Sequence, residues 1–343
     1  RFYEQEHLAG RPIGLRPHYV QAVAVFGCAR AIWPDDVIPS IRGRPDMFRA
    51  IIRNGLLLFS LFIFSQNGYA DDKLTVFVSI VPQKYFVQRI GQDLVDVRVM
   101  VKPGDSPATY EPKPNQMAAL SKSKIYFSIG VPFEKAWLKK ISSANPEMRL
   151  VPTDDGIEKI PMAAHQHEEQ GHHDETVDHT DSGFDPHIWT SPMLVMIQAR
   201  NIMAALQQVD PAHRSIYMAN YRSFVSELVD LDIDLMNTLA GQNSRKFMVF
   251  HPSWGYFAKA YGLEQMPIEV EGKEPKPAQL MALIDYAREH HIKFVFVQPQ
   301  FSTKNAERIA AEIGGKIIVA DPLAENWHEN LTKVAEDFTA SMP

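Results

Sequence analysis

The chain has 343 residues, of which 45% are hydrophobic and 22% are charged; this balance is typical of a globular protein and the length allows two domains. The formal net charge is −6, and residues 1–70 hold 8 of the 35 basic and 5 of the 41 acidic side chains, so residues 71–343 carry 27 and 36, a net charge of −9. An acidic chain argues against nucleic-acid binding and is compatible with cation binding. The single cysteine, Cys28, excludes an intrachain disulfide and a cysteine-based metal site.

Residues 47–70 have the organisation of a secretory signal peptide. Two positive charges, Arg49 and Arg53, precede the apolar segment 55–64, and Gly68-Tyr69-Ala70 is a small-x-small cleavage sequence. We therefore expect translation to begin at Met47, residues 1–46 to be a non-native upstream extension, and the mature chain to begin near Asp71. An uncleaved signal anchor is the alternative.

The segment after residue 71 alternates between strand and helix patterns. Strands are predicted at 73–80, 95–101 and 124–129, with helices near 82–90 and from 115, and a proline-dense loop at 103–114. This alternation predicts βαβ units and a parallel sheet, which we assign to an N-terminal lobe over 71–209.

A histidine-rich loop interrupts this lobe at residues 165–179. Five histidines lie among carboxylates with almost no apolar side chain, so the segment cannot bury enough surface to order itself. The alternative to metal binding is a plain solvated loop, but this density of imidazoles favours weak, multivalent metal capture. The histidines are His165, His167, His172, His173 and His179.

A long amphipathic helix is predicted over residues 210–241. Asp210 suits its N-cap, Pro211 its first turn and Gly241 its end. Its apolar side chains recur every three or four residues, as expected for a helix that packs against a core. These side chains are Tyr217, Tyr221, Phe224, Leu228, Leu231 and Leu235. At about 1.5 Å per residue the helix is long enough to join two lobes.

The C-terminal lobe is assigned to residues 242–343, with strands near 246–251, 266–270, 292–298 and 316–321. Two of these strands end in a potential ligand followed by proline, at His251 and Asp321, and His187 follows a proline in the first lobe. Ligands bind at the carboxyl ends of parallel strands, and histidine and carboxylate suit a divalent transition metal. We expect His187, His251 and Asp321 to converge on one ion; the alternative is that each merely caps a loop.

Several motifs in the same order give a resemblance to a known family. They include Ala108-Thr-Tyr-Glu-Pro-Lys-Pro114, Asp185-Pro-His187-Ile-Trp189, Phe250-His251-Pro-Ser-Trp-Gly-Tyr-Phe257, Glu271-Gly-Lys-Glu-Pro275 and Gln298-Pro-Gln-Phe-Ser302. Together with the histidine-rich loop, they resemble the zinc/manganese solute-binding proteins of bacterial ABC transporters over essentially all of 71–343. The resemblance implies an α/β fold of two lobes with mainly parallel sheets, one long linker helix and a metal site in the cleft.

The resemblance also implies the function and the ligands. We expect a periplasmic monomer that is not an enzyme, and that delivers zinc to an ABC permease in the inner membrane, with His187, His251 and Asp321 as ligands. The family usually has a histidine where this chain has Ala108, whose methyl group cannot bind a metal. A histidine of the 165–179 loop, Glu111 or water is left for the fourth position.

Two alternative functions remain open. Manganese prefers more oxygen ligands and higher coordination, so a His/His/Asp site favours zinc, but a water-completed site is less selective. Zinc with three protein ligands and an open position is also the arrangement of a zinc hydrolase. Such an enzyme needs a general base, for which Glu111 and Glu269 are the candidates.

Overall fold

The computed structural model describes residues 73–163, 183–241, 245–270 and 272–341. The expected upstream extension, the signal peptide and the 165–179 loop lie outside the described residues. None of the helices in the described part of the chain has the length and hydrophobicity needed to cross a membrane.

The first four strands form one parallel sheet with the order β2-β1-β3-β4. The strands are β1 (Leu74–Val78), β2 (Val95–Val99), β3 (Ile125–Ser128) and β4 (Arg149–Pro152). Helices α1 (Val81–Gly91), α2 (Pro114–Leu120), α3 (Pro132–Ala144) and α4 (Pro192–Val209) accompany them. The valine and phenylalanine side chains of β1 and all four side chains of β3 are buried, as their composition predicts.

The linker helix α5 spans Arg214–Thr238, which is 25 residues or about 38 Å. Its predicted apolar face is confirmed, because Tyr217, Phe224, Leu228, Leu231 and Leu235 are buried. The predicted start at Asp210 differs from the structure, where Pro211–His213 is a separate 3-10 turn. The carboxylate of Asp210 accepts hydrogen bonds from His213 (2.7 Å) and Tyr217 (2.5 Å), which accounts for the tight turn.

The second sheet is also parallel and has the order β6-β5-β7-β8. Its strands are β5 (Lys246–Val249), β6 (Glu264–Pro267), β7 (Phe294–Val297) and β8 (Lys316–Val319), with helices α6 (Gly255–Tyr261), α7 (Pro277–Glu289), α8 (Lys304–Glu312) and α9 (Trp327–Ser341). Strand β6 begins two residues earlier than predicted and ends at Pro267. Beyond Pro267, the amide of Ile268 donates to the carbonyls of Val249 (2.8 Å) and Phe250 (3.3 Å).

The described part of the chain thus consists of two lobes of parallel strands and flanking helices with α5 between them, so the predicted fold class is confirmed. Helix α9 packs against α5, against the second lobe through Phe338, which stacks on Phe296, and against α1 through Trp327. There, Trp327 contacts Phe86 edge-to-face, with ring centroids 5.0 Å apart. The carboxyl ends of the strands in both lobes face one cleft, where the candidate site lies.

Candidate metal centre

A pocket of about 60 Å³ lies in the cleft and takes its walls from both lobes. Its polar side chains come from the segments that follow the strands and include His187 and His251. The other walls are mainly apolar, and Ala108 is one of them. The apolar lining residues include Ala108, Val131, Pro132, Phe301, Pro322 and Leu323.

His187 is positioned by the carboxylate two residues before it. Oδ1 of Asp185 accepts hydrogen bonds from the backbone amide of His187 (2.8 Å) and from its Nδ1 (2.7 Å). A carboxylate only accepts, so Nδ1 carries the proton and Nε2 keeps a lone pair. Burial lowers the pKa of His187, with Asp185 opposing this effect, which favours the neutral imidazole that a metal ion requires.

His251 follows β5 and has the same kind of support. Its Nδ1 donates to Oε1 of Glu269 at 2.7 Å, and Glu269 is itself buried. Its backbone is fixed by Gln298, which accepts from the amide of His251 (3.2 Å) and donates to its carbonyl (2.6 Å). The ring stacks on Phe301, with centroids 4.9 Å apart. Histidine ligands of metal ions usually donate the other ring N–H to a carboxylate in this way.

The two imidazole rings lie together. Their centroids are 5.3 Å apart. Two rings that bind one tetrahedral zinc through Nε2 at about 2.0–2.1 Å would have centroids about 5 Å apart. The spacing of His187 and His251 therefore fits one shared ion.

Asp321 follows β8, next to the pocket-lining residues Pro322 and Leu323. Its Oδ1 accepts from Nε2 of Gln300 and from the amide of Leu323, both at 2.9 Å. Within the described ranges, no three His, Cys, Asp or Glu side chains are grouped so that they could hold a metal ion. The convergence of Asp321 with the two histidines therefore stays a prediction.

The candidates for the fourth position differ in placement. Glu111 is exposed and does not line the pocket, whereas Ala108 does. The loop histidines lie outside the described residues.

Two carboxylates of the site were not predicted in their roles from the sequence. The sequence motif contains Asp185 without indicating its role, although its spacing of two residues from His187 is a usable signal. The sequence suggests Glu269 only as a general base, and 18 residues separate it from His251. Each carboxylate accepts a hydrogen bond from the Nδ1 of one histidine, Asp185 from His187 and Glu269 from His251.

Comparisons with known proteins identify the family. The family model "Zinc-uptake complex component A periplasmic" matches residues 76–342. The chain belongs to this family. A crystal structure of ZnuA is 45% identical, with a TM-score of 0.72, and the match covers 79% of this chain and 99% of that one. A deletion mutant of ZnuA with zinc bound is 44% identical, also with a TM-score of 0.72. The match covers 79% of this chain and 98% of that one.

A curated relative supports the same assignment. The high-affinity zinc uptake system protein ZnuA of Bacillus subtilis is 30% identical over 280 residues, covering 80% of this chain and 85% of that protein. Membership of the family confirms the resemblance inferred from the sequence motifs, and the two-lobe fold is the one shared with the solved ZnuA structure.

Proposed function

We propose that this protein captures zinc in the cleft between its lobes and delivers it to an ABC permease in the inner membrane. The observation that carries the proposal is the pair of imidazoles in one pocket, each with its Nδ1 bonded to a buried carboxylate. A relative described as a high-affinity zinc uptake system protein supports zinc as the cargo, and the family description supports a periplasmic location. We infer that the protein acts as a monomer.

His187, His251 and Asp321 are the proposed ligands. The carboxylate of Asp321 accepts hydrogen bonds from Gln300 and from the amide of Leu323. We infer that it reorients away from these donors when it binds the metal ion. Two neutral nitrogens and one carboxylate match the preference of zinc better than that of manganese, which favours a larger set of oxygen ligands.

A binding role is favoured over a hydrolase. Of the two candidate bases, Glu269 is occupied by its hydrogen bond to His251, and Glu111 is exposed outside the pocket lining. Neither is positioned to take a proton from a zinc-bound water in the pocket.

The test is a competition titration of the metal-free chain with zinc and with manganese. We expect one tight zinc per chain and weaker manganese. His251→Ala should lower zinc affinity by more than the roughly 10–100-fold typical of losing an outer hydrogen-bond partner, because a ligand is removed. The matched control is His291→Ala, an exposed histidine that does not line the pocket. Unchanged zinc affinity in His251→Ala, or a preference for manganese, would contradict the proposal.

A further inference from the structure

The pocket beside His187 and His251 is larger than a bare ion needs. Its volume is about 60 Å³. A cavity holds one water when it offers about 10–15 Å³ of such space. The pocket therefore has room for zinc and for a second small group of about the size of a five-membered ring.

The described part of the chain supplies too few donors to fill that room. Tetrahedral zinc takes four ligands. His187, His251 and Asp321 provide three, and the wall at Ala108 provides only a methyl group. Ala108 lies in an exposed turn, where its amide donates to Oγ of Ser106 at 3.3 Å. Among the described residues, no side chain is therefore left to fill the fourth position on the side of the pocket that Ala108 lines.

The apolar walls around this position suit the carbon atoms of a ring. A bound water needs two to four polar partners, and an anion between apolar walls loses its hydration without compensation. Ala108, Val131 and Pro132 offer neither compensation, and the polar lining residues besides the two histidines are Ser106, Ser253 and Gln300. A flat, neutral ring can cover these walls with its carbon atoms and still present a nitrogen to the metal. The stacking of His251 on Phe301 shows that an imidazole already packs against an apolar wall of this pocket.

We propose that the protein captures zinc together with one small imidazole ligand, such as free histidine, which occupies the space beside Ala108 and completes the coordination. This inference rests on the proposed zinc-binding function. It identifies the cargo as a zinc complex instead of the bare ion.

The experiment measures retention of a labelled ligand. The full metal-free chain is mixed with zinc and ¹⁵N-histidine, freed of unbound material by gel filtration, and analysed for zinc and label. We expect one histidine per zinc, and no retained histidine without zinc. Imidazole should replace histidine, whereas alanine, which has the same amino and carboxylate groups without the ring, should not. Histidine should also slow zinc release to a chelator by at least about tenfold, the lower end of what outer partners of a metal site contribute.

Two variants at position 108 locate the ligand. Ala108→His places an imidazole on the protein, so it should release zinc slowly without added histidine and should retain no labelled histidine. Ala108→Phe fills the same space without a donor, so it should retain less histidine and release zinc faster. Because Ala108 is exposed in a loop, neither variant should unfold the chain.

The outcomes separate the two proposals. Zinc retained at one per chain with no labelled ring overturns the co-capture inference and leaves zinc binding intact. Retention of histidine by Ala108→His at the wild-type level also overturns it, because the ligand would then lie elsewhere. Loss of the tight zinc on deletion of residues 165–179 would assign the fourth position to a loop histidine and overturn it as well. Failure to retain zinc under any condition contradicts the proposed function itself.

Discussion

The indole nitrogen of Trp189 donates a hydrogen bond of 2.7 Å to the backbone carbonyl of Pro322, and the bond crosses from one lobe to the other. A second hydrogen bond involves the same residue: the indole nitrogen of Trp327 donates to the backbone carbonyl of Trp189 at 2.8 Å. Both tryptophans are about 1% exposed, so these bonds are shielded from water. Trp189 lies two residues after His187, and Pro322 directly follows Asp321. The pair of indoles therefore fixes the distance between the two segments that carry proposed ligands.

Replacing either tryptophan with phenylalanine should weaken zinc binding as well as the fold. Trp189→Phe leaves the Pro322 carbonyl without its donor, and a buried unsatisfied group costs about 1–3 kcal/mol. The segments of His187 and Asp321 would then be less well fixed, so zinc affinity should fall in Trp189→Phe and Trp327→Phe. Thermal unfolding of the metal-free chain and zinc titration measure the two effects.

Trp254→Phe is the matched control for this prediction. Trp254 is also about 1% exposed, but its indole nitrogen has no hydrogen-bond partner in the described part of the chain. Removing it therefore costs ring packing without a hydrogen bond. Equal losses of zinc affinity in Trp254→Phe and Trp189→Phe would mean that ring volume, and not the bond between the lobes, is what matters.

The contrast between local and distant pairs explains how much the sequence could predict. The strands, the apolar face of α5 and the positions of His187 and His251 at strand or loop ends follow from periodicity and from proline, which are local signals. The bond from Trp189 to Pro322 joins residues 133 positions apart, and no local pattern encodes it. The same is true of Glu269 beside His251, since the contact depends on how β5 and the segment after β6 align.

Glu269→Gln should lower zinc affinity by about 10–100-fold, the usual effect of altering a carboxylate that orients a histidine ligand. The amide oxygen of glutamine can still accept from Nδ1 of His251, but it lacks the negative charge that raises the basicity of the ring. Isothermal titration with zinc measures the change. The control is Glu264→Gln, an exposed carboxylate on β6 in the same lobe. Wild-type affinity in Glu269→Gln would show that orientation alone suffices.

Gly255→Ala should displace His187 by moving Asp185. A Cβ atom added at Gly255 would lie 2.6 Å from Oδ2 of Asp185, closer than real side chains allow, so the carboxylate must move. Asp185 is 1% exposed and accepts hydrogen bonds from both the amide and Nδ1 of His187. A movement of the Asp185 carboxylate should therefore also move the imidazole ring of His187. We expect lower zinc affinity together with reduced stability.

Gly183→Ala serves as the control for Gly255→Ala, because a Cβ atom at Gly183 meets nothing within 4 Å. Nuclear magnetic resonance of the histidine ring nitrogens distinguishes a displaced His187 from general destabilisation. An unchanged signal of the His187 Nδ1 proton in Gly255→Ala would contradict the prediction.

Glu134 should make the stability of the first lobe depend on pH. Its carboxylate accepts hydrogen bonds from the amides of Ile129 (3.0 Å) and Gly130 (2.8 Å) and from the hydroxyl of Ser79. Burial nevertheless raises the pKa of Glu134 from 4.5 to about 7, because the low-dielectric surroundings disfavour the charge more than these bonds favour it. The folded state therefore binds this proton more tightly than the unfolded state does.

The sign of the effect follows from the raised pKa. The stabilising contribution of the protonated carboxyl is fully present below pH 4.5 and is lost as the pH rises through about 7. The free energy of unfolding should fall by a few kcal/mol, on the order of 3, across this interval. Glu134→Gln keeps the shape of the side chain but cannot titrate. The free energy of unfolding of this variant should therefore change less than that of the unmodified protein between pH 5 and pH 8, a range of about 3 units. Urea denaturation of both metal-free proteins at the two pH values measures the difference, and equal pH dependence in both would assign the titration to another group.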